Sequence, residues 1–541
     1  MKMNNKILYL LNLFFSFSFC FKCGHDKIKK APKILNITNP QNDKSRRLDS
    51  YHPISFYVDY TQMENDQINY NLNSSYINFL KSALQLSLEI FSELLQVKRN
   101  GNTVIKEPDK CGEKIKYYNN QIKSGVDNDI ILVPIIDKTL DIDVLAAAAA
   151  CFLNKEDNRP IMGYILINPV NDDYESLNSK EYFALLFLHE ITHILVFSND
   201  LYKYYLYSGS VTTKKITNGK ERTLISTPKV KNIAAQHFNC SSIIGVELEN
   251  QGGSGSVGSH WETRVMLGDY MMSSDYGEIV ISDITLALFE DSGWYEVNYY
   301  TAGLFRFGKG QGCDFLNSVC ASNGNSNFKF DFCDFSTDDT CSPNNLNRGY
   351  CYWGAYREEI DSEYQYSDKN NTGGYIEADY CPIPWSYVNT RKSYFYQSCT
   401  EGEINYSEKQ ILGFSISNNS ICIISSLDDN LNSRNKNYER ALCHKIACNY
   451  DKHTFNVDIG KQTIECPNEG GEINVEGYKG SIICPPYNRV CTSEVYTGNP
   501  IKAVLNHISN SDIDTTARFP HEKNLSNFLL NKYLFLLFIF V

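Results

Sequence analysis

Within the run FALLFLHEITHILVFSND, residues 183–200, two histidines stand four positions apart and a glutamate follows the first. On a helix, side chains at i and i+4 lie one above the other, so His189 and His193 can present two imidazoles to one metal ion while Glu190 leans toward a water beside it. Metal-assisted hydrolysis needs that set of groups. Neutral imidazoles hold the ion and leave positions open, and a carboxylate takes the proton of a water whose pKa the ion lowers toward about 7. The flanking Phe183, Leu185, Leu186, Leu188, Ile191, Ile194 and Leu195 predict a buried helix. Two histidines and a glutamate desolvated there without a metal would be costly.

Two helical histidines need a third protein ligand. The compact continuation HExxHxxGxxH fails, because Val196 stands where it has glycine and Asn199 where it has histidine. The third ligand must therefore be distant. His237 lies in AAQHFNC, and His260 lies in the glycine-rich ENQGGSGSVGSHWETR, where glycines let a backbone bend close to an ion. Met271, eleven residues after His260, is a candidate for an apolar floor beneath the ion.

The elements that must position these groups are legible in the apolar periodicity. ISFYVDY (54–60) alternates as a strand; Ile77, Leu80, Leu84, Leu88, Phe91 and Leu95 mark an amphipathic helix over 76–97. NDIILVP (128–134) and MGYILIN (162–168) are expected strands, each ended by a proline, and the HEITH helix is expected from Lys180 to Phe197. SDITLALFEDSGW (282–294) predicts the helix that closes this region. Strand, helix, strands, helix is the plan of a mixed domain with the motif helix packed under a sheet, an α+β fold class. From about Cys313 the texture changes to cysteine, glycine, asparagine and aromatics, and predicts a loop-rich domain dependent on disulfides.

At 541 residues the chain can hold two or three domains with cores of their own. A net charge of −12, without a block of lysines or arginines, excludes a phosphate-tracking surface, so nucleic acid is not an expected partner. Lys2, Lys6 and the apolar run Ile7 to Phe21 have the layout of a secretory signal peptide. The cysteines agree with an oxidising compartment: sixteen lie between Cys111 and Cys491, enough for eight disulfides. Asn73, Asn370, Asn405 and Asn418 head glycosylation triplets. At the other end, Thr515-Thr516-Ala517, a polar spacer and an apolar tail from Phe528 have the layout of a glycolipid-anchor signal, with a single-pass tail as the alternative.

HEITHILVFS, AQHFNC, ENQGG, GSHWETR, DYMM and LALFEDSGWY, in that order, closely resemble the motif series of leishmanolysin-like metalloproteases, metzincins with a long insertion before the third histidine. The resemblance reaches upstream to VLAAAAACF (144–152) and GYILINP (163–169), and more weakly to GQGCDF (310–315), covering most of residues 54 to about 490. It implies a metzincin-type catalytic domain and a zinc endopeptidase with one Zn2+ per chain. His189, His193 and His260 would be the zinc ligands, Glu190 the general base, Met271 the methionine of the Met-turn, and His237 structural. GYILINP would be the edge strand to which an extended protein or peptide substrate adds. CGHD resembles the pro-segment motif in which a cysteine, here Cys23, occupies the fourth zinc position until the segment is cut, near Arg46-Arg47.

The organisation expected is a signal peptide (1–22), a pro-segment (23–47), a catalytic subdomain (48–200), an insertion with the third histidine and Met-turn (201–300), a cysteine-rich domain (301–500), and a spacer with the anchor signal (501–541). The protein is expected at the cell surface, membrane-attached through its tail, or outside the cell. One departure from the pattern bears on activity: family members have glycine at position 196, and Val196 in a left-handed cap would be strained by about 1–2 kcal/mol. The alternative function is therefore a weakly active or inactive surface adhesion protein that keeps the fold.

Overall fold

A computed structural model describes residues 22–28, 32–35 and 51–491, apart from 100, 113, 142–143, 170–179, 218, 252, 254–256, 275–277, 300–304, 387–397, 401–412 and 428–439. The signal peptide to residue 21, Arg46-Arg47, Asn405 and the tail 501–541 lie outside the described residues.

The site rests on one mixed sheet. Its strands are β1 (Lys22–Cys23), β2 (Lys33–Leu35), β3 (Phe56–Val58), β4 (Ile130–Ile136), β5 (Val144–Asn154) and β6 (Pro160–Ile167). The order is β1-β5-β6-β4-β3, with β2 also on β5; β5 runs antiparallel to β6 and the other pairings are parallel. Every residue of β4, β5 and β6 is buried, because both faces are covered. One face packs on helices α1 (Ser74–Leu94) and α2 (Lys180–Leu195), the latter carrying HEITH. The other is closed by Ile105, Ile115 and Ile122 and the Cys111–Cys151 disulfide. Gly163 in β6 lets α2 approach, since a Cβ there would lie 2.6 Å from Ile194 and 2.8 Å from the Ala149 carbonyl.

Three expectations are corrected. Pro134 does not end its strand but sits inside β4, opposite Ile165. Its missing N–H faces a gap between Leu132, whose carbonyl takes the Asp59 amide, and Ile136, whose amide is met by the Asp66 carboxylate. GYILINP is no edge: β6 lies between β5 and β4, and β5 would be the edge on that side only without β1 and β2, which add to it. The helix expected over 76–97 is α1, after which Leu95–Lys98 continues as a strand.

Beyond α2 come a hairpin of β7 (Thr212–Thr217) and β8 (Lys220–Ile225), α3 (Pro228–Phe238), β9 (Val246–Glu247), α4 (Thr263–Met266) and α5 (Asp283–Asp291). The cysteine-rich region is more regular than its composition suggests: between Ser420 and Cys484 it forms a six-stranded antiparallel sheet. All sixteen cysteines from Cys111 to Cys491 are paired, which fits a secreted or surface protein. Among the described residues no helix is long and apolar enough to cross a membrane.

Candidate metal centre

His189 and His193 lie on one face of α2, as their spacing requires, and His260 reaches them from the loop between β9 and α4. His189 Nε2 is 3.0 Å from His193 Nε2 and 3.2 Å from His260 Nε2. Cys23 Sγ, arriving on β1, is 3.4 Å from His193 Nε2, and the four donor atoms all lie within 4.8 Å of one another.

The 3.0 Å approach of His189 Nε2 to His193 Nε2 is not a hydrogen bond between the rings. His189 Nδ1 is 2.7 Å from the Tyr270 carbonyl and His193 Nδ1 is 2.7 Å from the Phe197 carbonyl. A carbonyl only accepts, so each Nδ1 carries the proton and each Nε2 is a bare lone pair. Burial keeps the rings neutral: it pulls the pKa of His189 down to about 3 and that of His193 well below its ordinary value. Bare lone pairs 3.0 Å apart repel unless a cation lies among them, so the residues present fit a metal ion. Glu190, fully buried, has its carboxyl pushed up to about 8 by desolvation, with the Cys23 thiol nearby pulling it back.

The structure leaves His237 out of this group: its Nε2 meets the Phe307 carbonyl at 2.8 Å and its ring stacks on Phe305. Met271 is fully buried, its amide held at 2.7 Å by Asp269. It is Met272 that lines the cleft beside His189 and Glu190, together with Leu145, Tyr182, Leu186 and Ile279.

Asp269 also accepts from Ser282 at 2.5 Å and from Thr285 at 2.8 Å, and Thr285 in turn takes the Trp261 indole N–H at 2.7 Å. One carboxylate thus ties the Met271 turn to the residue after His260. Nothing in the spacing of GDYMM marked it, since its partners come from α5.

The amino-terminal strand fills the cleft as an extended chain would. Cys23 donates its amide to the Ser273 carbonyl and Gly24 donates to Ala146 on β5. The alanines of β5 make room for it, and a Cβ on Gly24 would lie 2.8 Å from Val144. His25 stacks on His193 at 4.0 Å and reaches Ser198 at 3.0 Å.

Val196 is unstrained: neither it nor any described residue from 180 to 210 has a positive φ. The structural ground for expecting weak activity is therefore removed.

A profile of the leishmanolysin peptidase family matches residues 34–497. A leishmanolysin homolog of Crithidia fasciculata is 28% identical over 381 residues, 69% of this chain and 56% of that protein. Leishmanolysin of Leishmania tropica is 26% identical over 358 residues, 64% of this chain and 51% of that one. A ciliated left-right organizer metallopeptidase of Mus musculus is 36% identical over 222 residues, 38% of this chain and 30% of its own. The matched part of the chain spans about half the length of the leishmanolysins.

Proposed function

The chain belongs to the leishmanolysin family, whose relatives are named as metallopeptidases, and from that premise we propose that it is a zinc-dependent endopeptidase made as a latent precursor. The observation that carries the reading is the convergence of the bare Nε2 atoms of His189 and His193, 3.0 Å apart, with His260 Nε2 3.2 Å from the first, beside a buried glutamate. Two nitrogens bound to one tetrahedral zinc, at about 2.0–2.1 Å each, lie about 3.3 Å apart. His189, His193 and His260 would hold the ion. When bound, zinc supplies Lewis acidity, polarising a peptide carbonyl and lowering the pKa of water toward about 7.

Glu190 takes the proton of the attacking water and hands it to the leaving amine. Its desolvated carboxylate, with proton affinity raised toward neutrality, suits both steps. The Nδ1 bonds to Tyr270 and Phe197 keep His189 and His193 in the tautomer whose Nε2 faces the site. Met271 serves as the methionine of the Met-turn. The Cys23 thiolate, as fourth donor, holds the place water needs, so the intact precursor is inactive and removal of the amino-terminal strands starts activity. That removal also frees the edge of β5 for an extended protein or peptide substrate, and the apolar cleft beside His189 suits an apolar side chain next to the cleaved bond. The tail 501–541 would supply a lipid anchor at the cell surface.

The test is hydrolysis of an unstructured protein by the secreted chain, before and after limited proteolysis between Leu35 and Tyr51. Cleavage only after proteolysis, lost in Glu190→Ala with the metal retained, is the expected result. A folded, zinc-loaded and trimmed parent that cuts nothing would overturn the reading.

A further inference from the structure

Helix α2 ends without the residue on which helices most often end. A helix leaves its last four carbonyls without an intrahelical partner, and the common remedy is a left-handed glycine whose turn brings later amides back onto them. Position 196 is a fully buried valine instead. The amides of Val196 and Phe197 both bond to the Thr192 carbonyl at 2.9 Å, and the Ser198 amide folds back onto Val196 at 2.9 Å.

Two hydroxyls from outside the helix complete the end. Tyr205 donates to the Val196 carbonyl at 3.0 Å and Tyr295 donates to the Leu195 carbonyl at 3.2 Å. Tyr205 lies in the loop after α2, and Tyr295 follows α5, a hundred residues beyond Leu195. Both rings are buried and held edge-on, Tyr205 by Trp294 at 5.2 Å and Tyr295 by Phe289 at 5.5 Å. The peptide that follows carries the Phe197 carbonyl, whose oxygen is 2.7 Å from His193 Nδ1.

We infer that Tyr205 and Tyr295 are positioning residues for the metal: their hydroxyls replace the glycine turn at the end of α2 and so hold the Phe197 carbonyl on the outer nitrogen of His193. Without the Tyr295 hydroxyl the buried Leu195 carbonyl must seek another partner, and without the Tyr205 hydroxyl the Val196 carbonyl keeps only the Ser198 amide, so the helix end relaxes more in the first case than in the second. The orientation of His193 then loosens, although neither tyrosine touches the site. Loss of an outer partner of a metal-bound histidine typically weakens binding about 10- to 100-fold. The inference rests on the proposed role of His193 as a ligand.

The experiment compares the full secreted chain with Tyr205→Phe, Tyr295→Phe and the double variant, reading zinc affinity by chelator competition and the visible spectrum of the cobalt-substituted protein. Tyr299→Phe is the control, because its hydroxyl meets Glu290 on α5 at 2.8 Å and not the end of α2. Tyr295→Phe is expected to weaken zinc about 10-fold and Tyr205→Phe by less, each altering the cobalt spectrum, with the control unmoved. Adding Val196→Gly, which lets the backbone make the turn itself, should recover most of the loss.

Parent-like affinity and spectrum in the tyrosine variants, even with a lowered Tm, would overturn the inference. Lost affinity that Val196→Gly does not recover would overturn the claim that the hydroxyls stand in for glycine. If the double variant does not fold, the singles decide. A folded parent that binds no metal would bring down the functional reading and this inference together.

Discussion

The amino-terminal sheet region and the cysteine-rich region reach stability by different routes. One large apolar core runs through α1, the inner strands, α2 and α5 and continues past Asp291 as far as Ile383, and the Cys111–Cys151 disulfide lies in a second cluster on the other face of the sheet. The apolar clusters that lie mostly beyond Ile383 are smaller and include many of the cysteines themselves; six disulfides lie between Cys320 and Cys491, and Cys240–Cys313 joins the cysteine-rich region to the first. The histidines that could hold a metal belong wholly to the first kind of structure. Their side chains are placed by packing and by carbonyls at fixed positions, which holds a donor more closely than a covalent tie between loops can.

Substitutions can be ranked by how hard they press on this contrast. Glu190→Ala should have the largest effect, about 10²- to 10⁴-fold or more on kcat with zinc content unchanged, read from a trimmed enzyme on a quenched peptide. His260→Ala should abolish stoichiometric zinc, whereas His237→Ala should leave zinc bound and lower only Tm; metal analysis after gel filtration separates the two. If His237→Ala lost the ion, the assignment of the third donor would fail.

Cys23→Ser should let the uncut chain cleave substrate at a rate approaching that of the trimmed parent, since a hydroxyl is a far poorer zinc ligand than a thiolate. An uncut variant as silent as the parent would mean that the strand pairing of β1 with β5, and not the sulfur, closes the cleft.

Smaller effects should follow from Asp269→Asn. The amide keeps one acceptor for the Met271 N–H but cannot serve Met271, Ser282 and Thr285 together, so about 1–3 kcal/mol of stability and a modest share of zinc affinity should be lost. Smallest at the site should be replacement of Cys466 and Cys484 by serine. Opening a loop of 18 residues lowers local stability by about 3 kcal/mol, seen as a lower Tm or faster proteolysis of the carboxy-terminal sheet, while kcat and zinc content stay as in the parent. A fall in zinc content there would show that the two regions are coupled more tightly than their cores suggest.

Much of the candidate metal centre was legible because helix geometry is local. His189, Glu190 and His193 share a face wherever the helix packs, and the apolar residues around them require burial. His260, singled out by its glycine-rich approach and the motif series, lies beside His189, and the even count of sixteen cysteines foretold eight bridges without their pairing. Strand order was not legible. GYILINP and VLAAAAACF are both apolar throughout, and which of them lies beside the edge strands depends on the partners each finds.

By itself, then, the sequence determined the groups that could do chemistry and the helix that spaces two of them, because both follow from residue type and local period. Tertiary structure alone decided which strand is the edge, which carbonyls fix the imidazole tautomers, and how a helix ending in Val196 is completed by Tyr205 and Tyr295. Those partners lie up to a hundred residues away, or are backbone atoms that every residue carries, so no pattern of side chains along the chain could have singled them out.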